Sequence, residues 1–448
     1  MRLLWVLLLL SLTVTLSPAQ EVSRPVRVIV ALDAATWGIN DSIRAVNVRA
    51  AQDGLLRSLR SAGVTVHGST AFAYIPFIAL TVDTHTVDSL RRMPQVIGVY
   101  PDRPAIPQLD IAAAQVGAGG LDGVWTMNYR GQAQTLAVID SGVARLHPSL
   151  NGRVFGEACF STNGTLYGSD GTPSQITSLC KSHLDSAYGE SAGAPCPRTL
   201  ANCEHGTMVA GAAASADSLY RGIAPAARIV SVKVFSKVTG THCPNDWGMY
   251  SPCILAFESD QIRALEYVYS QRDTLSIDAV ILSLGAGFWA DQSQCDADNA
   301  PRKAIIDLLA AAGIPTFSPT GNAALVGQML APACISSVVS VGAVNGTDAV
   351  ARFSDVATFM DFFAPGAGID VPVLGNLFAR KSGTSLATPM VAAGYAILKQ
   401  ALPDVPMQTR LDLLRTSGKP ISVAALGGLA VPRLDLKAAL AGQVAAPI

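Results

Sequence analysis

The apolar positions of this chain change their rhythm twice. Leu3 to Leu16 is a mostly apolar run of 14 residues, interrupted only by Ser11, Thr13 and Thr15, preceded by Arg2 and closed by the small residues Ser17-Pro18-Ala19. That length and those flanks predict a secretory signal peptide over residues 1–19, because a membrane-spanning helix needs about 20 apolar residues. The next segment mixes short periods. VRVIVALD (Val26–Asp33) reads as a strand, and Val46–Ser61 carries helical spacing through Leu55, Leu56 and Leu59. Two strand-like runs follow, around Thr65–Tyr74 and Phe77–Asp83. THTVDSLRRM then reads as a short helix and VIGVY as a last strand. The order β-α-β-β-α-β predicts a small ferredoxin-like α+β unit from about Arg24 to Tyr100. Pro101–Leu109 holds three prolines and reads as an exposed linker.

From Asp110 onward the pattern is longer and alternates. Apolar runs at 135–140 (TLAVID), 227–235, 278–285, 314–321 and 337–344 alternate with helical spacing near Gly206–Ala216, Ala256–Gln271, Pro301–Ala312 and Thr388–Leu402. Strands that are apolar nearly throughout predict an α/β fold, a parallel sheet with helices on both faces.

Composition narrows the class. The 448 residues include 32 Lys plus Arg and 33 Asp plus Glu, a net charge of −1. No bulk field of one sign exists to recruit nucleic acid or a membrane surface. Half of the residues are apolar and 15% are charged, which excludes a disordered chain. Eight cysteines (Cys159, Cys180, Cys196, Cys203, Cys243, Cys253, Cys295 and Cys334) in an exported chain predict disulfides. A zinc site is disfavoured, since no C-x2-C or H-x3-H spacing occurs. Nearness in sequence predicts the pairs Cys159–Cys203, Cys180–Cys196, Cys243–Cys253 and Cys295–Cys334.

Three segments carry candidate chemistry. Asp140 ends an apolar strand and precedes Ser141-Gly142. An acid at the carboxyl edge of an open sheet could orient a histidine, or could serve only as a turn residue. His205 opens HGTMVAGAAASA, a helix of small residues, whereas His67, His85, His147, His183 and His242 lie in the small unit or in polar stretches that read as loops. Ser385 stands at a helix start, where backbone N–H groups can stabilise developing negative charge or where a serine can be an ordinary cap.

Taken together, Asp140-Ser141-Gly142, His205-Gly206-Thr207 and Gly383-Thr384-Ser385 with Ala387-Thr388-Pro389 resemble the three active-site signatures of the subtilisin-like serine proteases. The chain order Asp, His, Ser is that of subtilisin. Gly222-Ile223-Ala224-Pro225, Ser283-Leu284-Gly285, Thr320-Gly321-Asn322, Phe353-Ser354, Ala364-Pro365-Gly366 and Pro432-Arg433-Leu434-Asp435 extend the resemblance from about residue 24 to 440. It implies Ser385 as nucleophile, His205 as general base and Asp140 as its orienting acid. Asn322 and the Ser385 backbone N–H would bind the oxyanion, and Ser283, Leu284 and Gly285 would form the substrate-binding strand. Met208 stands where many members have a second histidine. Pro319-Thr320 and Leu386 also depart from the commonest pattern, and Ala323 implies a less acidic pocket. Gly285-Ala286-Gly287-Phe288-Trp289-Ala290 fits G-x-G-x-x-A, but a polar stretch rather than a helix follows it.

The resemblance further implies a secreted preproenzyme, extracellular or periplasmic. Residues 20–105 would be an inhibitor-type propeptide and 106–448 the peptidase domain. The segment Val99–Pro107 would sit as a product-like strand in the active site until cut between about Asp102 and Asp110. Partners would be polypeptide substrates and the chain's own propeptide, acting as an intramolecular inhibitor on a monomer, with no nucleic acid and no membrane after signal cleavage. The mechanism requires no cofactor. Calcium sites are common in the family, but no linear Asp-rich motif identifies one here.

Overall fold

Strands that are apolar on both sides need cover on both sides, and the computed structural model has that arrangement. It describes residues 25–34, 41–71, 76–101, 108–167, 172–243 and 250–443. The predicted signal peptide, the tip of the second strand-like run, residues 102–107 of the linker and the last five residues lie outside the described residues. The chain forms two units, Met1–Ala105 and Ile106–Ile448.

The first unit has a four-stranded antiparallel sheet in the order 66–71, 77–83, 25–32, 96–101. Helices Asp41–Ser61 and Thr84–Arg91 accompany it. Val30, Leu32, Ile78, Leu80 and Val82 from the strands close over Leu55, Leu59 and Leu90 from the helices. This is the element order that the mixed periods predict.

The second unit is built on a ten-stranded sheet. Its order is 419–423, 429–433, 362–365, 338–344, 316–319, 277–282, 135–140, 228–233, 154–160, 186–188. The eight inner strands run parallel, and the two edge strands run antiparallel to their neighbours. Helices His205–Ala214 and Thr384–Ala401 pack on one face and helices Glu258–Gln271 and Ala300–Ala311 on the other. Strand 135–140 is buried at every residue and is flanked by 228–233 and 277–282. The chain runs from it to 154–160 on one side and later crosses from 228–233 to 277–282 on the other, so its carboxyl end opens at a topological switch point, where α/β sheets leave a crevice.

Two sequence expectations change. The polar cysteine-bearing stretches are not only loops: 164–167, 173–178, 235–239 and 253–256 form a second, antiparallel sheet. That sheet decides the disulfides. Cys159 pairs with Cys180 and Cys196 with Cys203, at Cα separations of 5.6 and 5.2 Å, so the expected Cys159–Cys203 and Cys180–Cys196 bonds are not formed. The hairpin brings the end of strand 173–178 back to the end of strand 154–160, where Leu179 N donates to Ser161 Oγ at 2.9 Å. Cys159 and Cys180 thereby become neighbours, and the turn before His205 closes locally. Cys243–Cys253 and Cys295–Cys334 form as sequence proximity suggests.

Candidate active site

The acid sits at the end of a strand buried at every residue. Asp140 ends strand 135–140 with no exposed surface. Ser141 N donates to its Oδ1 at 2.6 Å. Ser141 Oγ accepts from Gly206 N at 2.9 Å and donates to Cys203 O at 3.2 Å, so one hydroxyl ties the aspartate turn to the start of the histidine helix. Gly206 permits the approach: a Cβ there would lie 2.6 Å from Gly142 O and 3.1 Å from Asp140 Cβ. His205 Nδ1 consequently lies 2.9 Å from both Oδ1 and Oδ2 of Asp140. Burial opposes the imidazolium, but the charge and hydrogen bond of Asp140, with a contribution from Glu204, outweigh it and hold His205 above the ordinary value of 6.5. Lys233, in register with Asp140 on the adjacent strand, donates to Ala194 O at 3.0 Å, and burial pushes its ammonium down to about 8.

Four of the other histidines make structural contacts. His147 is buried between Ser149 and Leu377 O, His183 bonds Ser178 O, His242 bonds Ser174 Oγ, and His67 joins Asp83 at the surface.

Ser385 lies in the first turn of helix Thr384–Ala401, which starts four residues earlier than Thr388, with Pro389 inside it. Proline has no N–H to donate to the carbonyl four residues back, which is that of Ser385. Ser283 Oγ fills the vacancy, donating to Ser385 O at 2.9 Å. Ser283 thus braces the serine turn with its side chain. Leu284 and Gly285 are half-buried and lead into the strand Ala286–Trp289, which pairs on one side with Met329–Ala331.

Asn322 Oδ1 accepts from Thr384 N at 2.9 Å and Thr384 Oγ1 at 3.0 Å, which turns its Nδ2 the other way. Gly383 shows where these groups point. A Cβ on it would lie 3.0 Å from Ser385 Oγ, 3.7 Å from Ser385 N and 3.8 Å from Asn322 Nδ2. A hydroxyl and two nitrogens therefore lie around one space, which the absent side chain leaves open. Among the described residues no hydrogen bond reaches Ser385 Oγ from His205. Such links are often long without substrate and tighten in the Michaelis complex.

An ion pair unmarked in the sequence spans the site: Lys381 Nζ lies 2.7 Å from Glu204 Oε1, joining the residue before His205 to the segment before Ser385. Asp355 is the other buried acid beside the site. Its Oδ1 accepts from Ala323 N at 3.0 Å and Leu325 N at 2.7 Å. Its one sequence signal is its place directly after Phe353-Ser354. Among the described residues no group of three or more His, Cys, Asp or Glu could hold a metal ion, and no helix is long and apolar enough to cross a membrane. A recess of about 620 Å³ is lined by 348–352 and 419–425 with Ala324, Val326, Ser354 and Val356, and by none of Asp140, His205, Asn322 and Ser385.

Known proteins resemble this chain in sequence and in fold. The sequence pattern of Peptidase S8, the subtilase family, matches residues 131–421. Subtilisin NAT of Bacillus subtilis subsp. natto is 29% identical over 332 residues, covering 73% of this chain and 71% of its own. The thermophilic serine proteinase of Bacillus sp. (strain AK1) is 30% identical over 280 residues, covering 62% and 55%. The crystal structure of a cold adapted subtilisin-like serine proteinase shares the fold at a TM-score of 0.51 and 22% identity, over 74% of this chain and 98% of that one. The chain belongs to the subtilase family and is a serine-type endopeptidase.

Proposed function

We propose that Asp140, His205 and Ser385 are the triad of a secreted endopeptidase made as a zymogen, with Asn322 Nδ2 and Ser385 N as its oxyanion donors. The observation that carries this reading is the space over Gly383, around which Ser385 Oγ, Ser385 N and Asn322 Nδ2 gather within 3.8 Å. A substrate carbonyl carbon set beside Ser385 Oγ would place its oxygen near both donors.

The Ser385 hydroxyl attacks that carbon while its proton passes to His205 Nε2. Asp140, on Nδ1, fixes the tautomer that leaves Nε2 free and stabilises the imidazolium. The C–N bond of the tetrahedral adduct then breaks. His205 returns the proton to the leaving amine, and an acyl-serine remains. Water, deprotonated by the same imidazole, hydrolyses that ester and restores Ser385. Ala323 beside Asn322 puts no charge in the adjoining pocket, which favours an uncharged residue before the cut bond. No cofactor enters these steps.

The first unit acts as an inhibitor-type propeptide over residues 20–105, released by the enzyme's own cut between about Asp102 and Asp110. Removing its arginines leaves a more acidic monomer. Expression of Ser385→Ala in a protease-free system tests this part. The precursor should stay uncut, whereas wild type should yield a product whose N-terminus falls in that window. Full processing of the variant would refute autocatalysis.

A further inference from the structure

Asp355 is an expensive residue to keep. It has no exposed surface, and no cation forms an ion pair with it among the described residues. Its Oδ2 is buried with no hydrogen-bond partner. A buried acid without a counter-ion opposes folding unless its hydrogen bonds do something necessary. Burial pushes its carboxyl up, and the N–H bonds from Leu325 and Ala323 pull the other way.

Those bonds go to one place. Segment 353–356 lies along 321–327: Asp355 N donates to Gly321 O, Ala324 N to Phe353 O, Val356 N to Leu325 O and Gly327 N to Val356 O, all within 3.0 Å. This ladder leaves Ala323 N and Leu325 N unpaired, and Asp355 Oδ1 takes both. Between them Ala324 has a φ of 57°, a left-handed conformation that costs a non-glycine residue energy and must be held. On the other side of Asn322, Gly321 has a φ of 122°, and a Cβ there would fall 2.0 Å from Asp355 Oδ2. One carboxyl therefore grips the chain immediately after Asn322 with one oxygen and fills the space over Gly321 with the other.

We infer that Asp355 is the positioning residue of the oxyanion donor: it sets the turn 321–325 so that Asn322 Nδ2 meets the tetrahedral adduct. Thr384 orients the amide group of Asn322, and Asp355 fixes the backbone from which it projects. This inference rests on the proposed role of Asn322, and it assigns Asp355 no contact with substrate.

The test is a double-mutant cycle on the processed enzyme, with kcat and KM for a peptide substrate, the inhibition constant of a peptide aldehyde and that of the corresponding carboxylate product. An aldehyde forms a tetrahedral adduct with the serine, so it reads the oxyanion site; the product reads ground-state binding. Asp355→Ala should lower kcat about 10-fold or more and weaken the aldehyde by a similar factor, with KM and product binding within about twofold. Asn322→Ala should lower kcat by about 10²–10³. The double variant should be no worse than Asn322→Ala alone, because the two act through one group. Asp355→Asn, which keeps an acceptor at Oδ1, should recover most of the loss. If Asp355→Ala does not fold, Asp355→Ser, too short to reach both N–H groups, takes its place in the cycle. Losses that multiply in the double variant, or an aldehyde constant that does not move, would overturn the inference. An Asn322→Ala enzyme with full kcat would instead refute the oxyanion role itself.

Discussion

The two halves of the site are held by different forces. The Asp140–His205 half is a side-chain construction: a buried carboxylate, an imidazole at 2.9 Å, the Ser141 hydroxyl and the Cys196–Cys203 bond directly before the histidine helix. The Ser385–Asn322 half is chiefly a backbone construction. Thr384 N holds Asn322, Asp355 holds the N–H groups beyond it, and Ser283 takes the carbonyl that Pro389 leaves free. In the proposed reaction the first half has to change its charge, and the second must keep its donors still while charge appears in front of them. A titrating group needs a tuned partner, and a fixed donor needs a rigid frame.

The largest difference should appear on deleting one group from each half. His205→Ala should lower kcat by about 10⁶ and Asp140→Ala by about 10⁴, the magnitudes measured in subtilisin. Asn322→Ala should cost about 10²–10³, also a subtilisin value. Steady-state hydrolysis of a peptide anilide would rank them. Equal losses from both halves would erase the distinction.

The pH profile separates the halves next. In the proposed mechanism His205 must be neutral to accept the serine proton, and Asp140 holds it above 6.5. Activity should therefore fall on the acid side at a pH above that value. Asp140→Asn removes the charge that raises the imidazole and should move this limb of kcat/KM to lower pH, along with its lower rate. Asn322→Ala should leave the limb where it is. A limb that moves with Asn322 would contradict the assignment.

The disulfides give a smaller contrast. Cys196–Cys203 closes a short ring, worth about 2.5 kcal/mol in the chain-entropy picture, and Cys295–Cys334 a longer one, worth about 4 kcal/mol. Replacing the longer pair by alanine should cost more in urea midpoint and leave the activity of folded enzyme nearly intact. Replacing the shorter pair should cost less stability and reduce activity several-fold, because its ring leads directly into His205. The opposite pattern would show that the histidine turn holds without its covalent clamp.

The sequence reveals what depends on local pattern. Fully apolar runs such as TLAVID could only be doubly covered strands, and the mixed periods before residue 100 yield the small unit's element order. The resemblance of three motifs to those of a known family points to which aspartate, histidine and serine the site would use. What stays hidden depends on long-range partners. Cys159 meets Cys180 because a polar hairpin, too weakly patterned to read, folds back beside it. Helix 384–401 starts before the position that Pro389 suggests, because Ser283, some hundred residues earlier, makes an internal proline tolerable. Beyond its place after Phe353-Ser354 nothing in the sequence marks Asp355, and only the fold shows that it is buried against Asn322's neighbours.

The central claim is that Ser385 is a nucleophile activated by His205. The direct measurement is fluorophosphonate labelling of folded, processed protein, followed by peptide mapping. One phosphonyl group on Ser385, absent in His205→Ala under the same conditions, is the predicted result. Protein that cleaves casein while Ser385 stays unlabelled would contradict the account.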